Sequence, residues 1–228
     1  MTKPATEFVL VRHGETTWNA DGRIQGHLDI PLNDVGHRQA AALGQRFRSE
    51  TCDALYSSDL QRALVTANGI AAHHGPVRTD LRLRERHLGV LQGLTRDEAM
   101  ARHPSAWETF RRRQPDEPLE GGESLRAFFL RIHEFLREAC ERHAGKRVLV
   151  VTHGGVLDAA YRLATNRPLE APRDFPILNA AVNTLSCDGQ WQLKSWGDAS
   201  HLAHVEASRG RTGADFIDHE ARPFTACR

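Results

Sequence analysis

Apolar and polar residues alternate along this 228-residue chain in the manner of an α/β protein. Residues 8–11 and 147–151 are almost continuously apolar and rich in valine, a pattern typical of strands buried on both faces of a sheet. Shorter runs predict strands at 53–57 and 77–79. A strand over 181–186 and another over 191–195 are predicted to form a hairpin around Asp188 and Gly189.

Segments with helical periodicity separate these strands. Residues 123–142 carry apolar side chains at positions i, i+3, i+4 and i+7, which predicts one buried helix face. Thr95 and Glu98 match a capping box for a short helix that ends before Pro104. Further helices are predicted at 34–50, 59–74, 104–113 and from 154 to about 165. This alternation predicts a single domain over 1–228, a three-layer α/β/α sandwich with a mostly parallel central sheet.

The charge of the chain is balanced, with 30 basic and 29 acidic side chains and a formal net charge of +1. This balance excludes a strongly basic nucleic-acid binder. Only Lys3, Lys146 and Lys194 are lysines, so almost all basic residues are arginines. We attribute most of that bias to composition, but expect a few arginines to bind planar anions such as phosphate or carboxylate.

Cysteine and histidine spacing gives no sign of a disulfide framework or a metal site. The four cysteines are far apart, and no H-E-x-x-H motif occurs among the 13 histidines. A reducing, cytoplasmic setting without a metal is predicted. The polar segment 1–7 predicts no signal peptide, and no apolar stretch approaches the ~20 residues of a membrane span. Neither a membrane nor a nucleic-acid partner is expected, and the alternatives of monomer and homodimer stay open.

Both buried strands end in a histidine that is followed by glycine. The two exits are Arg12-His13-Gly14 and Thr152-His153-Gly154-Gly155. Ligands of parallel α/β sheets bind just past the carboxyl ends of the strands, so neighbouring strands would place both imidazoles over one crevice. The glycines are expected to let a ligand approach the backbone closely and to expose N–H groups at a helix start.

This combination of side chains suits phosphoryl transfer. A neutral imidazole is a nucleophile toward phosphorus and forms a phosphohistidine. The reaction otherwise needs in-line positioning and neutralisation of the equatorial oxygens, which Arg12, a second arginine and the other histidine would supply. A carboxylic acid is still required to protonate the leaving oxygen.

Segment 10–19, LVRHGETTWN, resembles the motif of the histidine phosphatase superfamily, also called the phosphoglycerate mutase-like family. The resemblance extends from about residue 8 to 201. The other matching segments are 25–26, 31–33, 57–63, 83–93, 120–124 and 152–155. It implies a phosphoglycerate mutase-like fold with a core at about 8–201, a cap-like insertion at about 86–123 and a polar tail at 202–228.

The resemblance also implies roles for individual residues. His13 would be the phosphorylated nucleophile, and Glu85 would protonate the leaving oxygen and then activate water. Arg12, Arg62 and His153 would hold the phosphoryl oxygens. Substrate contacts are further implied for Gly14, Asn19, Gln25, Gly26, Arg86, His87, Leu88, Gly154 and Gly155, and no metal is implied. The neighbours Arg84 and Arg86 favour ionised Glu85, whereas its role needs the protonated acid, a conflict that bound phosphate would relieve.

The family contains both phosphatases and 2,3-bisphosphoglycerate-dependent mutases. Arg96, Arg111, Arg112 and Arg113 lie near positions where mutases carry basic substrate ligands, which favours an anionic, carboxylate-bearing phosphate ester. Mutases usually have tyrosine where this chain has Leu88. The short segment between the proposed acid and the second histidine favours a phosphatase, because a mutase must shield its phosphoenzyme from water.

We therefore predict an enzyme, a phosphomonoester hydrolase that acts on a small phosphorylated metabolite through a phosphohistidine. The alternative is a mutase, in which case 2,3-bisphosphoglycerate would be its cofactor. A catalytically silent phospho-ligand-binding protein is a third possibility, which the presence of His13, Glu85 and His153 disfavours.

Overall fold

A computed structural model describes residues 4–72 and 74–206, and six of its strands form one mixed sheet. The strands are β1 (Thr6–Arg12), β2 (Ala54–Ser57), β3 (Arg78–Thr79), β4 (Arg147–Thr152), β5 (Val182–Cys187) and β6 (Trp191–Asp198). Their order across the sheet is β3-β2-β4-β1-β5-β6. The first four of these run parallel, whereas β5 pairs antiparallel with β1 and with β6. The predicted mostly parallel sheet and C-terminal hairpin are confirmed.

Helices cover both faces of the sheet. They are α1 (Thr17–Ala20), α2 (Asp34–Phe47), α3 (Gln61–Ala71), α4 (Arg96–Arg102), α5 (Pro104–Arg112), α6 (Leu125–Arg142), α7 (Gly154–Thr165) and α8 (Ala203–Glu206). Alternate residues of β1 enter different cores, because successive strand side chains point to opposite faces. Phe8 packs in the core with α6 and α7, whereas Val9 packs in the core with α2 and α3. This arrangement is the predicted three-layer sandwich. None of the described helices is long and apolar enough to cross a membrane.

Two helix starts differ from prediction. Helix α3 begins at Gln61, whose N–H donates to Asp29 Oδ1 at 2.8 Å from a loop 32 residues earlier. Asp59, predicted to open this helix, instead forms an ion pair with Arg84 at 2.5 Å. Helix α6 begins at Leu125 rather than at 123, after an N-cap serine. In both places a polar partner outside the helix decides where the helix begins.

Residues between β3 and α6 carry a small core of their own. Leu88, Leu91, Ala99 and Leu119 form a buried cluster that is separate from the two cores of the sandwich. Thr95 and Glu98 form the predicted capping box of α4. The Glu98 carboxylate also pairs with Arg23 at 2.7 Å, which ties this region to the loop after α1.

The C-terminal end of the described chain is less polar than predicted. Leu202 and Val205 are buried, and both belong to short helical turns after β6. Two apolar residues at the start of the predicted tail at 202–228 are thus buried. From 207 onward the tail lies outside the described residues.

Candidate active site

The two strand-end histidines meet because β1 and β4 are neighbours. Arg12 pairs in register with Thr152, and the N–H of His13 donates to the carbonyl of Thr152 at 2.9 Å. The rings of His13 and His153 lie 5.2 Å apart, centroid to centroid. Both side chains are almost fully buried. The predicted juxtaposition of two imidazoles at one sheet edge is present in the structure.

The hydrogen bond of His13 determines which ring nitrogen is basic. Nδ1 lies 2.7 Å from the carbonyl oxygen of Gly14, so Nδ1 carries the proton and donates it to this acceptor. Nε2 then holds a lone pair. Burial, followed by the cations Arg62 and Arg12, holds the pKa of His13 well below its ordinary value, although the bond to Gly14 acts in the opposite direction. The ring is therefore neutral and nucleophilic at Nε2.

Arg62 imposes the opposite tautomer on His153. The Nε–H of Arg62 donates to Nδ1 of His153 at 3.2 Å, so Nε2 of this ring carries the proton. Nε2 is buried and has no hydrogen-bond partner among the described residues. Burial, followed by Arg62 and His13, lowers the pKa of His153 well below its ordinary value. The site thus holds one imidazole acceptor beside one imidazole donor.

Arg62 is itself held rigidly in the second position of α3. Its two terminal nitrogens donate to the carbonyls of Leu28 and Gly26, each at 2.8 Å. Burial lowers the pKa of Arg62 to about 10, and Glu85 is the first of the groups that oppose this effect. The guanidinium therefore remains a cation at neutral pH.

Glu85 faces the start of α7. Its Oε1 accepts the backbone N–H of Arg86 at 2.7 Å, and its Oε2 accepts that of Gly155 at 2.8 Å. A Cβ on Gly155 would lie only 2.1 Å from Oε1, so glycine is needed at this position for the approach. The flanking arginines do not pair with this carboxylate: Arg84 pairs with Asp59, and the Arg86 guanidinium donates to the carbonyl of Glu123.

A cavity of about 410 Å³ opens over these groups. The predicted residues on its wall are Arg12, His13, Asn19, Gln25, Gly26, Arg62, Glu85, Arg86, Leu88, Arg111, Arg112, Arg113, Gly154 and Gly155. His153 lies directly behind this wall, against His13. Within the described residues, no group of three or more His, Cys, Asp or Glu side chains is placed to hold a metal ion.

Three predicted contact residues lie off the cavity wall. Gly14 packs closely against Gly36, because a Cβ at position 14 would lie 2.6 Å from the Gly36 carbonyl oxygen. No helix starts directly after Gly14. The His87 ring packs edge-on against His27 at 4.8 Å. Arg96 is the first residue of α4, within the separate small core region, and does not reach the cavity.

Sequence reasoning missed an ionic cluster on the cavity wall. Asp158 on α7 is buried and accepts Arg113 at 2.7 Å, Arg162 at 2.9 Å and Arg173 at 3.2 Å. Burial acts to raise the pKa of Asp158, but the three arginines outweigh it and hold the pKa below its usual range. The only local sign of this cluster was the i, i+4 spacing of Asp158 and Arg162. Asp158, Arg113 and Arg173 all line the cavity.

Apolar side chains cover another part of the wall and were also missed. They include Trp18, Ile24, Phe110, Phe128 and Pro172. Phe128 was expected only as a core residue of α6, and it serves both the core and the cavity. The cavity therefore combines a cationic floor with an apolar wall.

Residues 8–199 match the model of the histidine phosphatase superfamily, branch 1. The chain belongs to this superfamily. A phosphoglycerate mutase-like protein 4 from Arabidopsis thaliana is 44% identical over 215 residues, which cover 92% of each chain. A metal-independent phosphoserine phosphatase from the same plant is 45% identical over 205 residues, covering 88% of this chain and 84% of the relative.

A solved structure agrees with these relatives. The mycobacterial glucosyl-3-phosphoglycerate phosphatase superposes with a TM-score of 0.76 and 31% identity, covering 86% of this chain and all of that chain (100%). The predicted phosphoglycerate mutase-like fold and the predicted enzyme class, a phosphomonoesterase, are confirmed. A mutase remains the alternative within the same family.

Proposed function

We propose that this histidine phosphatase hydrolyses small phosphomonoesters through a phosphohistidine formed at Nε2 of His13. The observation that carries the proposal is the pair of opposite tautomers held by Gly14 and Arg62. One ring offers a lone pair to phosphorus, and the other offers a buried N–H to a phosphoryl oxygen. Such preorganised donors are usually the largest single contribution to rate enhancement.

In the first step, Nε2 of His13 attacks phosphorus, and the bond between phosphorus and the ester oxygen breaks. Protonated Glu85 gives its proton to that oxygen, so an alcohol leaves. The phosphoryl group on Nε2 is neutralised by the cations Arg12 and Arg62 and by the Nε2–H of His153. Nδ1 of His13 keeps its proton and its bond to Gly14 throughout.

In the second step, the Glu85 carboxylate accepts a proton from water, and the water oxygen bonds to phosphorus. The bond between phosphorus and Nε2 breaks, which releases inorganic phosphate and restores neutral His13 and protonated Glu85. The contacts of Glu85 with the N–H groups of Arg86 and Gly155 hold the carboxylate for this role. No metal takes part, in keeping with the metal-independent phosphatase relative.

The substrate we propose carries a carboxylate besides its phosphate. Arg86 is buried and Arg113 is partly buried, and both residues line the cavity wall. Burial, with Arg113 contributing, lowers the pKa of Arg86 to about 10. Arg113 pairs with Asp158, whereas the Arg86 guanidinium donates to a backbone carbonyl, and a buried cation is stabilised by an anionic ligand. The names of the phosphoserine and glucosyl-3-phosphoglycerate phosphatases describe esters of this type.

We favour hydrolysis over isomerisation because residues 86–123, the proposed cap, contain only two short helices, of which only α5 lines the cavity. A cap of this size leaves a phosphoenzyme accessible to water. One observation favours a mutase, namely the number of arginines on the wall, which would suit a second phosphate. We further propose that 1–228 is one domain and acts in the cytoplasm as a monomer or homodimer.

The test is hydrolysis of p-nitrophenyl phosphate, phosphoserine and 3-phosphoglycerate, run beside a mutase assay with 2,3-bisphosphoglycerate. We expect phosphate release from all three, an acid-labile phosphoprotein on quench, and loss of both in His13→Ala. His74→Ala is the matched control, since the His74 ring bonds to the Phe47 carbonyl, away from the cavity. No release by the wild type would overturn the proposal, and isomerisation faster than release would identify a mutase.

A further inference from the structure

The loop between α7 and β5 forms hydrogen bonds with the end of β1, beside the proposed nucleophile His13. The guanidinium of Arg12 donates to the carbonyl of Ile177 at 2.7 Å. In the reverse direction, the N–H of Ala180 donates to the carbonyls of Arg12 and His13, at 3.1 and 3.3 Å. This loop belongs to none of the motifs that point to the active site.

Ala180 shows that the loop conformation is enforced. Its φ angle is +56°, in the left-handed region that favours glycine, and its side chain is fully buried. A non-glycine residue in this region costs of the order of 1 kcal/mol or more and persists where surrounding contacts impose it. The bifurcated hydrogen bond to β1 is such a contact, and it sets the position of the preceding residue, Asn179.

Asn179 is buried and contacts two parts of the site at once. Its Nδ2 donates to the carbonyl of His13 at 2.9 Å and to Oδ1 of Asn19 at 3.4 Å. Oδ1 of Asn19 also accepts the N–H and the hydroxyl of Thr16, at 3.1 and 3.0 Å. Three donors on one oxygen prevent the Asn19 amide from flipping, so Asn19 presents its Nδ2 donors rather than its oxygen to the cavity.

We propose that Asn179 is a positioning residue that aligns the nucleophile loop with Asn19 as a phosphoryl-binding donor. The inference rests on the proposed function, in which Asn19 contacts a phosphoryl oxygen. Asn179 itself does not line the cavity. Without it, Asn19 loses one of the three donors that fix its orientation, and a flipped amide would place an oxygen against the phosphate. The carbonyl of His13 loses its side-chain donor at the same time.

The chain offers a matched control in Asn183. This asparagine is equally buried, and its Nδ2 donates to the carbonyl of Leu10, on the same strand but inside the sheet. Its Oδ1 accepts the N–H of Gly197. Asn183→Ala therefore removes a comparable amide contact with β1 without touching the site.

The experiment measures the affinity for inorganic phosphate by calorimetry, and kcat/KM for p-nitrophenyl phosphate, at temperatures where each variant is folded. Asn179→Ala is expected to weaken phosphate binding and to lower kcat/KM, each by about tenfold or more, because an oriented donor is lost. Asn183→Ala is expected to lower Tm. It should change the phosphate affinity and kcat/KM by less than about threefold each, because it lies away from the site. In an Asn19→Ala background, Asn179→Ala should weaken phosphate binding by less than about threefold further, since both act on one donor.

The inference would be overturned if Asn179→Ala and Asn183→Ala had equal effects. It would also be overturned if the losses in phosphate affinity caused by Asn19→Ala and Asn179→Ala multiplied fully in the double variant. If Asn179→Ala does not fold, Asn179→Ser, which keeps one short donor, carries the same comparison. Phosphate binding needs no turnover. A wild type that binds phosphate in the expected pattern but releases none from any ester would therefore overturn the proposed function and leave this inference intact.

Discussion

Gly155→Ala isolates the acid role of Glu85 from its surroundings. The added Cβ would lie 2.1 Å from Glu85 Oε1 and 3.1 Å from Phe128 Cζ. Since a real Cβ essentially never approaches within 3.0 Å of a neighbour, the carboxylate must move by about 1 Å. The cost to folding is small, because the displaced atom is the end of a flexible side chain. A displacement of that size at a reacting group costs up to about 100-fold in rate, or about 2.7 kcal/mol.

The assay compares kcat/KM for glycerol phosphate and p-nitrophenyl phosphate. We expect the alkyl ester to lose about 100-fold and the aryl ester far less, because nitrophenolate leaves without a proton from Glu85. Gly44→Ala serves as control, since its Cβ would meet the backbone of Gly69 at 2.4 Å, between α2 and α3. It should lower Tm and spare both rates. Equal losses for the two esters in Gly155→Ala would refute the assignment of Glu85 as the acid.

Three further predictions follow from the same geometry. Arg62→Lys keeps the charge but has all its donors on one nitrogen, which cannot reach His153 and the two carbonyls together. His153 then loses its fixed tautomer and kcat/KM should fall by about 100-fold; a loss under threefold would contradict this. Asp158→Asn leaves one buried and two partly buried guanidiniums without their anion and should cost about 3–5 kcal/mol in unfolding free energy. The exposed Asp174→Asn should leave the denaturant midpoint nearly unchanged, and equal midpoints for the two variants would contradict the prediction. Because burial lowers the pKa values of His13 and His153, the unfolded chain binds more protons below about pH 6.5, so Tm should fall from pH 7 to pH 5. The double variant with glutamine at both positions should flatten that slope, and an unchanged slope would refute the attribution.

Much of the fold follows from local patterns. The valine-rich runs of β1 and β4 and the periodic face of α6 depend only on residues close in sequence, so their interpretation survives in the structure. Helix starts are less predictable where the cap comes from elsewhere. Asp29 caps α3 across 32 residues, and no pattern near Gln61 indicates it.

Some residues of the site are likewise predictable from local sequence motifs, and others are not. His13, Arg62, Glu85 and His153 belong to motifs, and the structure brings them together at one sheet edge. Arg96 belongs to a predicted set as well, yet α4 carries it away from the cavity. Asp158 shows the converse, because besides its helix neighbour Arg162 it acquires Arg113 and Arg173 as partners from outside α7.

The sequence by itself therefore determines the chemistry available at the two strand ends, since residue type and strand periodicity are local properties. Only the tertiary structure decides which ring nitrogen of each histidine carries the proton. Gly14 and Arg62 fix opposite tautomers on two rings, and Asn179 fixes the Asn19 amide. Apart from the bond between the neighbours His13 and Gly14, these hydrogen bonds join residues 91 to 166 positions apart. Such bonds depend on how the sheet and its loops pack, which no short stretch of sequence specifies.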